Sequence, residues 1–478
     1  MLQSTIAEQD RAAGLIPGPA VQLPNVTRFS IGAPARGANG LAAAEVVAAA
    51  ALPMLATTSL YLPGGMLSPW RAAVMVLAGL AVVRVVREPG LLRSPVLGAV
   101  TLVAATFGLF GVLGLVRNPG MTHPSELGHV GFIALATTSL AVLGRRAHVV
   151  VALVGGWLAA GLVSAVVGIW ETFTHRHLPR NLPGAAYGHR ADGWKIVSAF
   201  FDNPNLYAYM LAVLIPLCLM AFLATRRWWL RVASTSLALL FAQQMYMTDG
   251  RAAMLTVFLT VVLLMLRSWL GRALLVAGLL GFRLAVGLGI LPAVTLWSAI
   301  HEAYAQAHEA PRSTWLRVQL VKSGWHMLRE SDWLGVGPGG YPVRNMLPSN
   351  PVNIWWMPNP HWGMVEVMAE YGVATLAVLG LALAVGAGTC LWLSLRRRRL
   401  DLAAGRSAFA SRWTHPRSTL ALTAIMLVSV PVVSLANSTW LRQPLTAVHL
   451  ATLVALLAWG VSNLRSPSRP SPSPAEAG

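Results

Sequence analysis

The chain has 478 residues, of which 55% are apolar and only 11% are charged. So few charges cannot cover a water-soluble protein of this size, whereas a surface that faces lipid accounts for both figures. The formal net charge of +19 comes from arginines in short groups between apolar runs, so it indicates membrane topology and argues against nucleic-acid binding.

The two ends of the chain are polar and differ from the apolar region between them. Residues 1–40 are rich in Pro and Gly and lack the apolar centre of a secretory signal, so we expect a disordered cytoplasmic arm. Residues 463–478 are dominated by Ser and Pro and are expected to form a disordered cytoplasmic tail. Cys218 and Cys390 lie inside apolar runs, which argues against a disulfide or a thiolate metal site.

Apolar runs of roughly 17 to 25 residues predict about twelve spanning helices, and therefore an all-α integral membrane protein. Residues 41–462 form this polytopic domain. The predicted spans are 41–62, 69–86, 95–116, 127–144, 148–170, 206–225, 228–247, 252–267, 273–297, 361–393, 418–436 and 443–462.

Arginines are concentrated in every second turn between these spans, including the run at 396–399. Because positive charge is retained on the cytoplasmic side, these turns and both termini are predicted to be cytoplasmic. Residues 171–205 and 298–360 are then long external loops, the second lying between helices 9 and 10. Long loops on a membrane scaffold commonly carry function, so we expect these two to form the active site.

Both external loops are basic. The first contains Arg190 and Lys195, and the second contains Arg312, Arg317 and Lys322. Since long loops escape the orientation rule, their charge needs another cause. The apolar spacing from position 313 to about 329 predicts a helix that lies along the membrane interface. Guanidinium groups bind phosphate oxygens in a bidentate way, so Arg312 and Arg317 suit a diphosphate, with lipid headgroup contact as the alternative.

Arg251 lies at the external start of the eighth predicted helix, directly after Asp249 and Gly250. A cation is not favoured at the positive end of a helix, so we expect an anion to compensate it. A salt bridge to Asp249 or a contact with lipid headgroups is the alternative.

His361 follows Pro360 at the mouth of the tenth predicted helix. The proline is expected at an early helical position, and the positive helix end should lower the pKa of the imidazole and favour a neutral base. An ordinary interfacial histidine is the alternative. Glu366 and Glu370 follow in the same helix, where buried carboxylates need partners, and a salt bridge to an arginine of a neighbouring helix is predicted.

Three further patterns have mainly structural interpretations. The glycine-rich segment 335–340 lacks the lysine of a P-loop and is predicted to be a backbone turn, with direct contact to substrate as the alternative. Asn203 and Asn205 are predicted to cap the sixth helix, with active-site shaping as the alternative. The external histidines lack metal-ligand spacing, so no metal or other cofactor is expected, and His175 and His177 are predicted to be solvated.

Four segments follow one another in a characteristic order and spacing. They are Phe200-Phe201-Asp202-Asn203-Pro204-Asn205, Asp249-Gly250-Arg251-Ala252-Ala253, Trp333-Leu334-Gly335-Val336-Gly337-Pro338-Gly339, and Pro360-His361 with Glu370-Tyr371-Gly372. Taken together, they resemble the O-antigen ligase superfamily of bacterial inner-membrane proteins over roughly residues 150–380. The family commonly has Ser before the arginine at 251 and Asn after the histidine at 361, where this chain has Gly250 and Trp362.

The resemblance implies a metal-independent, inverting glycosyltransferase that moves a glycan from an undecaprenyl-diphosphate donor to a hydroxyl of lipid A-core. A polysaccharide or O-antigen polymerase, with a glycan acceptor, is the alternative with the same chemistry. His361 would be the general base, and Arg251 with Arg312 or Arg317 would bind the diphosphate. The residues expected to support the site are Arg190, Lys195, Asn203, Asn205, Lys322 and Glu366.

Two other classes of protein remain as alternatives. A transporter or flippase would carry charges at the centres of its spans, whereas these spans are mostly uncharged there, Arg283 being the main exception. Kinship with membrane transglycosylases that polymerise peptidoglycan would require an external catalytic aspartate, for which Asp192 and Asp202 are the candidates.

Overall fold

The computed structural model describes residues 39–62, 68–179, 196–225, 227–267, 269–287, 313–352, 357–403, 415–437 and 439–465. Within these ranges all regular structure is helical, which confirms the all-α prediction. The predicted arm at 1–40 and tail at 463–478 lie outside them, apart from a few residues in the first and last helices.

The described residues form fourteen α-helices, of which α10 and α11 lie between the ninth and tenth predicted spans. They are α1 Asn39–Thr57, α2 Pro69–Arg87, α3 Pro95–Arg117, α4 Pro124–Leu143, α5 Ala147–Thr174, α6 Pro204–Ala224, α7 Trp228–Thr248, α8 Arg251–Leu266, α9 Trp269–Gly287, α10 Ser313–Glu330, α11 Gly340–Asn345, α12 Gly363–Ala403, α13 His415–Val433 and α14 Pro444–Arg465.

Eight of these helices are long and apolar enough to cross a membrane, namely α1 to α6, α12 and α14. The helices α8 and α13 are apolar but shorter, and the two remaining predicted spans overlap with α7 and α9, residues 288–297 of the second lying outside the described residues. The protein is therefore a multi-pass membrane protein, and each of the twelve predicted spans overlaps with a described helix.

Proline begins many of the spanning helices, including α2, α3, α4, α6 and α14. Its ring presets the helical φ angle, and the N–H that it lacks has no partner in the first turn of a helix in any case. Proline therefore starts these helices without the loss of a hydrogen bond.

The core of the bundle is centred on α6, which is buried along most of its length. It packs against α5, α7, α8 and α13. Asn203 is the N-cap of this helix, because its side-chain oxygen accepts a hydrogen bond from the Asn205 N–H at 2.8 Å. The predicted capping role of the Asn203-Pro204-Asn205 segment is thus confirmed.

The two ends of the bundle carry different features. At one end, here called the site end, α8 begins at Arg251 and the turn before α12 contains His361. At the other, here called the paired end, the Arg84 guanidinium of α2 forms an ion pair with Glu45 of α1. His148 of α5 lies 2.8 Å from the same carboxylate. These contacts hold three spanning helices together at the paired end.

The helix α12 is broken near its start at Gly372, where φ is +81° and ψ is 172°. The segment 333–337 fills this break. The Val373 N–H donates to the Trp333 carbonyl at 3.1 Å, and the Val336 N–H donates to the Ala369 carbonyl at 2.8 Å. A Cβ at Gly372 would lie 2.6 Å from the Trp333 carbonyl oxygen, so both the φ angle and the close approach require glycine.

Glu370 holds the glycine-rich segment 335–340 against this break. Its carboxylate accepts hydrogen bonds from the Gly339 N–H at 2.9 Å and the Tyr341 N–H at 3.3 Å. The predicted salt bridge to an arginine is wrong for Glu370, because loop N–H groups satisfy its carboxylate instead. The segment is a backbone turn that contacts α12, as predicted.

Candidate functional site

Arg251 is placed by a tight turn between α7 and α8. Asp249 has a φ of +55°, and the Thr248 hydroxyl accepts a hydrogen bond from the Gly250 N–H at 3.1 Å. A Cβ at Gly250 would lie 2.4 Å from the Cβ of Ala208 in α6, so a serine there would collide with α6. The turn brings Arg251, with an exposed side chain, to the first position of α8.

Arg317 lies on α10, the helix predicted along the membrane interface. The helix packs on the first part of α12, where Leu320 and Met327 contact a small apolar cluster that includes Val365 and Ala369. Arg317 is half-buried. Its pKa is lowered by burial and, in addition, by the positive charge of Arg251, so the two guanidinium groups lie within electrostatic reach of each other.

His361 lies two residues before α12 and has a φ of +52°, in the left-handed region. Burial, together with the positive charge of Arg317, lowers its pKa to about 4, so the imidazole is neutral at pH 7. The expected direction of this shift is confirmed, but its cause differs from the predicted helix end. The predicted helical position of Pro360 is wrong, because α12 begins only at Gly363.

The turn that carries His361 is fixed from two sides. The Trp362 indole N–H donates to the Pro431 carbonyl at 2.9 Å, which ties the turn to α13. Gly363 packs against Trp440, whose ring would lie 2.5 Å from a Cβ at that position. Trp362 thus has a structural contact of its own at the position where relatives commonly have Asn.

Glu366 continues this attachment one turn into α12. Its carboxylate accepts hydrogen bonds from the Trp440 N–H at 2.6 Å and the Leu441 N–H at 3.3 Å. Among the described residues it forms no ion pair, since Arg442 pairs instead with Glu126 at 2.7 Å. The predicted salt bridge of Glu366 is therefore wrong, and the residue supports the site by holding the 439–443 loop beside His361.

Arg251 and Arg317 differ from most arginines of this fold in what surrounds them. Within the part of the chain that the structure describes, no carboxylate forms an ion pair with either guanidinium, and the alternative Arg251–Asp249 salt bridge is not formed. Two neighbouring cations, one of them half-buried, are costly unless an anion binds between them. Guanidinium forks match phosphate oxygens, so the geometry suits an anionic ligand beside a neutral imidazole.

Residues 237–380, from α7 into α12, match the family model described as O-antigen ligase. The match supports the resemblance to the O-antigen ligase superfamily over this part of the chain. This match includes Arg251, Arg317 and His361, the three side chains that the fold brings together. A search of curated proteins finds no match.

Several residues predicted for this O-antigen ligase site are not part of the described arrangement. Arg190, Lys195 and Arg312 lie outside the described residues, as does Asp192. Lys322 is exposed on α10, and the Asn203 side chain is used as a helix cap. Among the residues that the structure does describe, no group of three or more His, Cys, Asp or Glu side chains is arranged to hold a metal ion.

His177 was predicted to be solvated, which is wrong for its side chain. Only 5% of that side chain is exposed, and its Nδ1 lies 2.9 Å from a Glu171 oxygen at the end of α5. The other Glu171 oxygen accepts hydrogen bonds from the Ser198 and Ala199 N–H groups, each at 2.8 Å. A carboxylate near the end of a long apolar helix was the sequence signal for this anchor.

Proposed function

We propose that the protein transfers a glycan from an undecaprenyl-diphosphate donor to a hydroxyl of lipid A-core, at the external face of the bacterial inner membrane. The observation that carries this proposal is the placement of Arg251 and Arg317, without carboxylate partners among the described residues, beside the neutral imidazole of His361. The match of residues 237–380 to the O-antigen ligase model supports glycan transfer of the ligase or polymerase type in general.

The proposed reaction is a single displacement. The acceptor hydroxyl oxygen attacks the anomeric carbon of the donor, and the bond from that carbon to the diphosphate breaks as the new bond forms. The electron pair of the broken bond leaves with the diphosphate, and the hydroxyl proton passes to His361. Attack from the face opposite the leaving group inverts the anomeric centre.

Arg251 and Arg317 act on the leaving group in this scheme. Charge grows on the diphosphate as its bond to the sugar breaks, and two guanidinium groups that are fixed in advance stabilise that charge. Since they supply the positive charge at the diphosphate, we propose a reaction independent of metal ions. The expected outcome is a transfer rate that is unchanged by EDTA.

The decisive variant is His361→Asn, since asparagine tolerates the left-handed backbone at this position better than alanine does. We expect transfer to fall by about 100-fold or more, the scale of a positioned base, while donor affinity is kept. The assay combines purified protein, lipid-linked glycan and lipopolysaccharide that lacks O antigen, with products separated on a gel.

His326→Asn is the matched control, because this α10 histidine lies near the same end and contacts Glu330 at 3.0 Å. A near-normal rate for His361→Asn would contradict the proposed base, and the role would then pass to Glu366, Asp192 or Asp202. Extension of the lipid-linked glycan in the wild-type reaction, without ligation to lipid A-core, would identify a polymerase.

The proposed orientation can be tested by thiol labelling from outside the membrane. A cysteine at Ser349 should react and a cysteine at Ser407 should stay unlabelled, because the long loop is external and the arginine-rich turn is cytoplasmic. The native Cys218 and Cys390 are buried and give a low background. The reverse labelling pattern would overturn the orientation of the whole protein.

A further inference from the structure

A cavity opens at the site end, and neither Arg251 nor Arg317 is among its lining residues. It is a cleft of about 250 Å³ between the end of α1 and the starts of α2, α6 and α14. We call it the polar cleft, and define it by its polar lining residues, Thr57, Ser59, Ser68, Arg71, Asp202 and Gln443.

The lining of the polar cleft suits a ligand rich in hydroxyl groups. The Ser59 and Ser68 hydroxyls can each donate and accept, the Asp202 carboxylate accepts, and the Arg71 guanidinium, which also contacts His129 Nδ1 at 3.1 Å, donates. Two lining groups already have partners, since the Thr57 hydroxyl donates to the Pro53 carbonyl at 2.8 Å and the Gln443 amide N–H donates to Thr439 at 3.1 Å, which leaves the Gln443 carbonyl as an acceptor. A phosphate would be repelled by Asp202, whereas most carbons of a sugar ring carry a hydroxyl that can donate and accept. Burial raises the pKa of Asp202.

The walls of the polar cleft are held in place. Glu171 fixes the Ser198 and Ala199 N–H groups just before Asp202, and Asn203 caps α6 directly after it. On the α2 side, the Arg71 guanidinium stacks on Trp70, with 5.6 Å from its central carbon to the ring centroid. A site with fixed polar groups loses little entropy when it binds a ligand.

The polar cleft is connected to both elements of the candidate active site. Gln443 ends the loop whose Trp440 and Leu441 N–H groups bind Glu366, one turn after His361. Asp202 precedes α6, and Ala208 of α6 contacts Gly250, the residue before Arg251. The start of α6 therefore joins the cleft to the turn that carries Arg251, and the 439–443 loop joins it to the first turn of α12, just after His361.

We propose that the polar cleft binds a sugar ring of the acceptor glycan and holds it so that the reacting hydroxyl lies at His361. The inference rests on the proposed function, since it names the subsite of one of its two substrates. In the proposed reaction the donor diphosphate binds Arg251 of α8 and Arg317 of α10, whereas the cleft is lined by the loop that Glu366 binds next to His361. A sugar bound there is separate from the two arginines and close to the chain segment that carries the base.

The test uses two cleft variants with different effects. Asp202→Asn weakens the hydrogen bonds to sugar hydroxyls, and Ser59→Trp fills the cleft from the α1 side without a change at Asp202. Asp332→Asn is the matched control, since its side chain is 80% exposed and is not part of the cleft lining. All three proteins and the wild type are purified, and thermal unfolding checks that each is folded.

Two measurements are made on each protein. Initial rates of transfer are recorded against the concentration of lipopolysaccharide lacking O antigen, and separately against lipid-linked donor. For Asp202→Asn we expect KM for the acceptor to rise by about tenfold, as for the loss of one buried hydrogen bond, and for Ser59→Trp by at least as much, because the indole occupies the cleft. In both variants kcat and KM for the donor should stay within twofold of wild type. Direct titration of the same lipopolysaccharide into protein in lipid nanodiscs should show an equal loss of affinity.

Loss of donor affinity with normal acceptor affinity would overturn the inference, because the cleft would then hold the donor sugar. Unchanged constants in both cleft variants would overturn it as well, while transfer by the wild type would leave the proposed function in place. If instead the wild type transfers no glycan but the titration shows acceptor binding that both cleft variants lose, the proposed function fails and the glycan site stands.

Discussion

At the paired end of the bundle, Arg84 and Arg146 form ion pairs with Glu45 and Glu88. At the site end, Arg251 and Arg317 have no such carboxylate among the described residues, although Arg442 nearby is paired with Glu126. The difference is thus specific to two residues and not general to one end of the bundle. The ion pairs of Arg84 and Arg146 hold neighbouring helices together. Arg251 and Arg317 have no carboxylate partner among the described residues, so their guanidinium groups can bind an anionic ligand.

Loss of an unpaired guanidinium should have the largest effect on activity. Arg251→Gln and Arg317→Gln are each expected to lower kcat by about 10² to 10³, the scale for removal of a group that stabilises developing charge. Replacement by Lys should not restore the rate, because an ammonium cannot make the bidentate contact. Transfer kinetics and donor titration on purified protein provide the measurement.

Arg117→Gln is the control for these two variants, because Arg117 is already paired with Asp332 at 3.1 Å. Its kinetics should match the wild type. If Arg251→Gln also keeps its turnover and donor affinity, Arg251 is only a contact for lipid headgroups. The absence of a carboxylate partner among the described residues would then not mark a binding site for the donor.

Loss of a paired guanidinium should instead affect stability. Arg84→Ala leaves the Glu45 side chain, which is 0% exposed, with His148 as its remaining partner, and is expected to cost about 3 kcal/mol. Unfolding in detergent measures this loss, and turnover per folded molecule should stay unchanged. The double variant Arg84→Ala with Glu45→Ala should recover much of the stability, and a double variant as unstable as the single one would exclude the buried charge as the cause.

The pH dependence of transfer connects the arginines to the base. Because the pKa of His361 is lowered to about 4, the imidazole stays neutral as pH falls from 7, and kcat/KM should decline only as pH approaches that value. Removal of the Arg317 charge raises the pKa of His361, so the acid limb of Arg317→Gln should lie at higher pH than that of the wild type. The shape of the profile can be compared although the variant is slow, and identical midpoints would show that Arg317 does not act on His361.

The smallest effect is expected for a paired arginine at the surface. Asp332→Asn breaks the contact with Arg117, but the Asp332 side chain is 80% exposed. Exposed ion pairs contribute at most about 1 kcal/mol, so the unfolding midpoint should hardly move and transfer should be normal. If Asp332→Asn lowered the stability as much as Arg84→Ala does, burial would not be the reason why the Arg84–Glu45 pair matters more than the Arg117–Asp332 pair.

The sequence was sufficient for features that depend on local composition. Apolar runs located the spanning helices, and apolar spacing located α10 at Ser313–Glu330. The order of the motifs identified Arg251 and His361. In the fold, the charge of Arg317 acts on His361, and the charge of Arg251 acts on Arg317. These features follow from side-chain hydrophobicity and from charge at helix ends, both of which can be read within a few residues.

Features that depend on distant backbone groups could not be predicted in the same way. Glu370 binds the Gly339 N–H, and Glu366 binds the Trp440 N–H, 74 positions away in the chain. Sequence reasoning predicted an arginine partner for each carboxylate, because a charged side chain is visible in the sequence. Backbone N–H groups occur at almost every position, so the sequence does not indicate which of them will bind a carboxylate. The burial of His177 was not predicted for a related reason. It depends on the Glu171 carboxylate, which contacts His177 and also accepts a hydrogen bond from the backbone N–H of Ser198.

The break at Gly372 has a consequence for anyone who builds chimaeras between relatives of this protein. Residues 331–341 and 363–373 form one interlocked unit, in which the carbonyl of Trp333 and the carboxylate of Glu370 each bind N–H groups of the other segment. A crossover placed between them would join a glycine-rich turn from one parent to a broken helix from another. Crossovers before 331 or after 373 keep both segments from one parent, so chimaeras made there should yield folded protein more often than chimaeras with a crossover in the loop between α11 and α12.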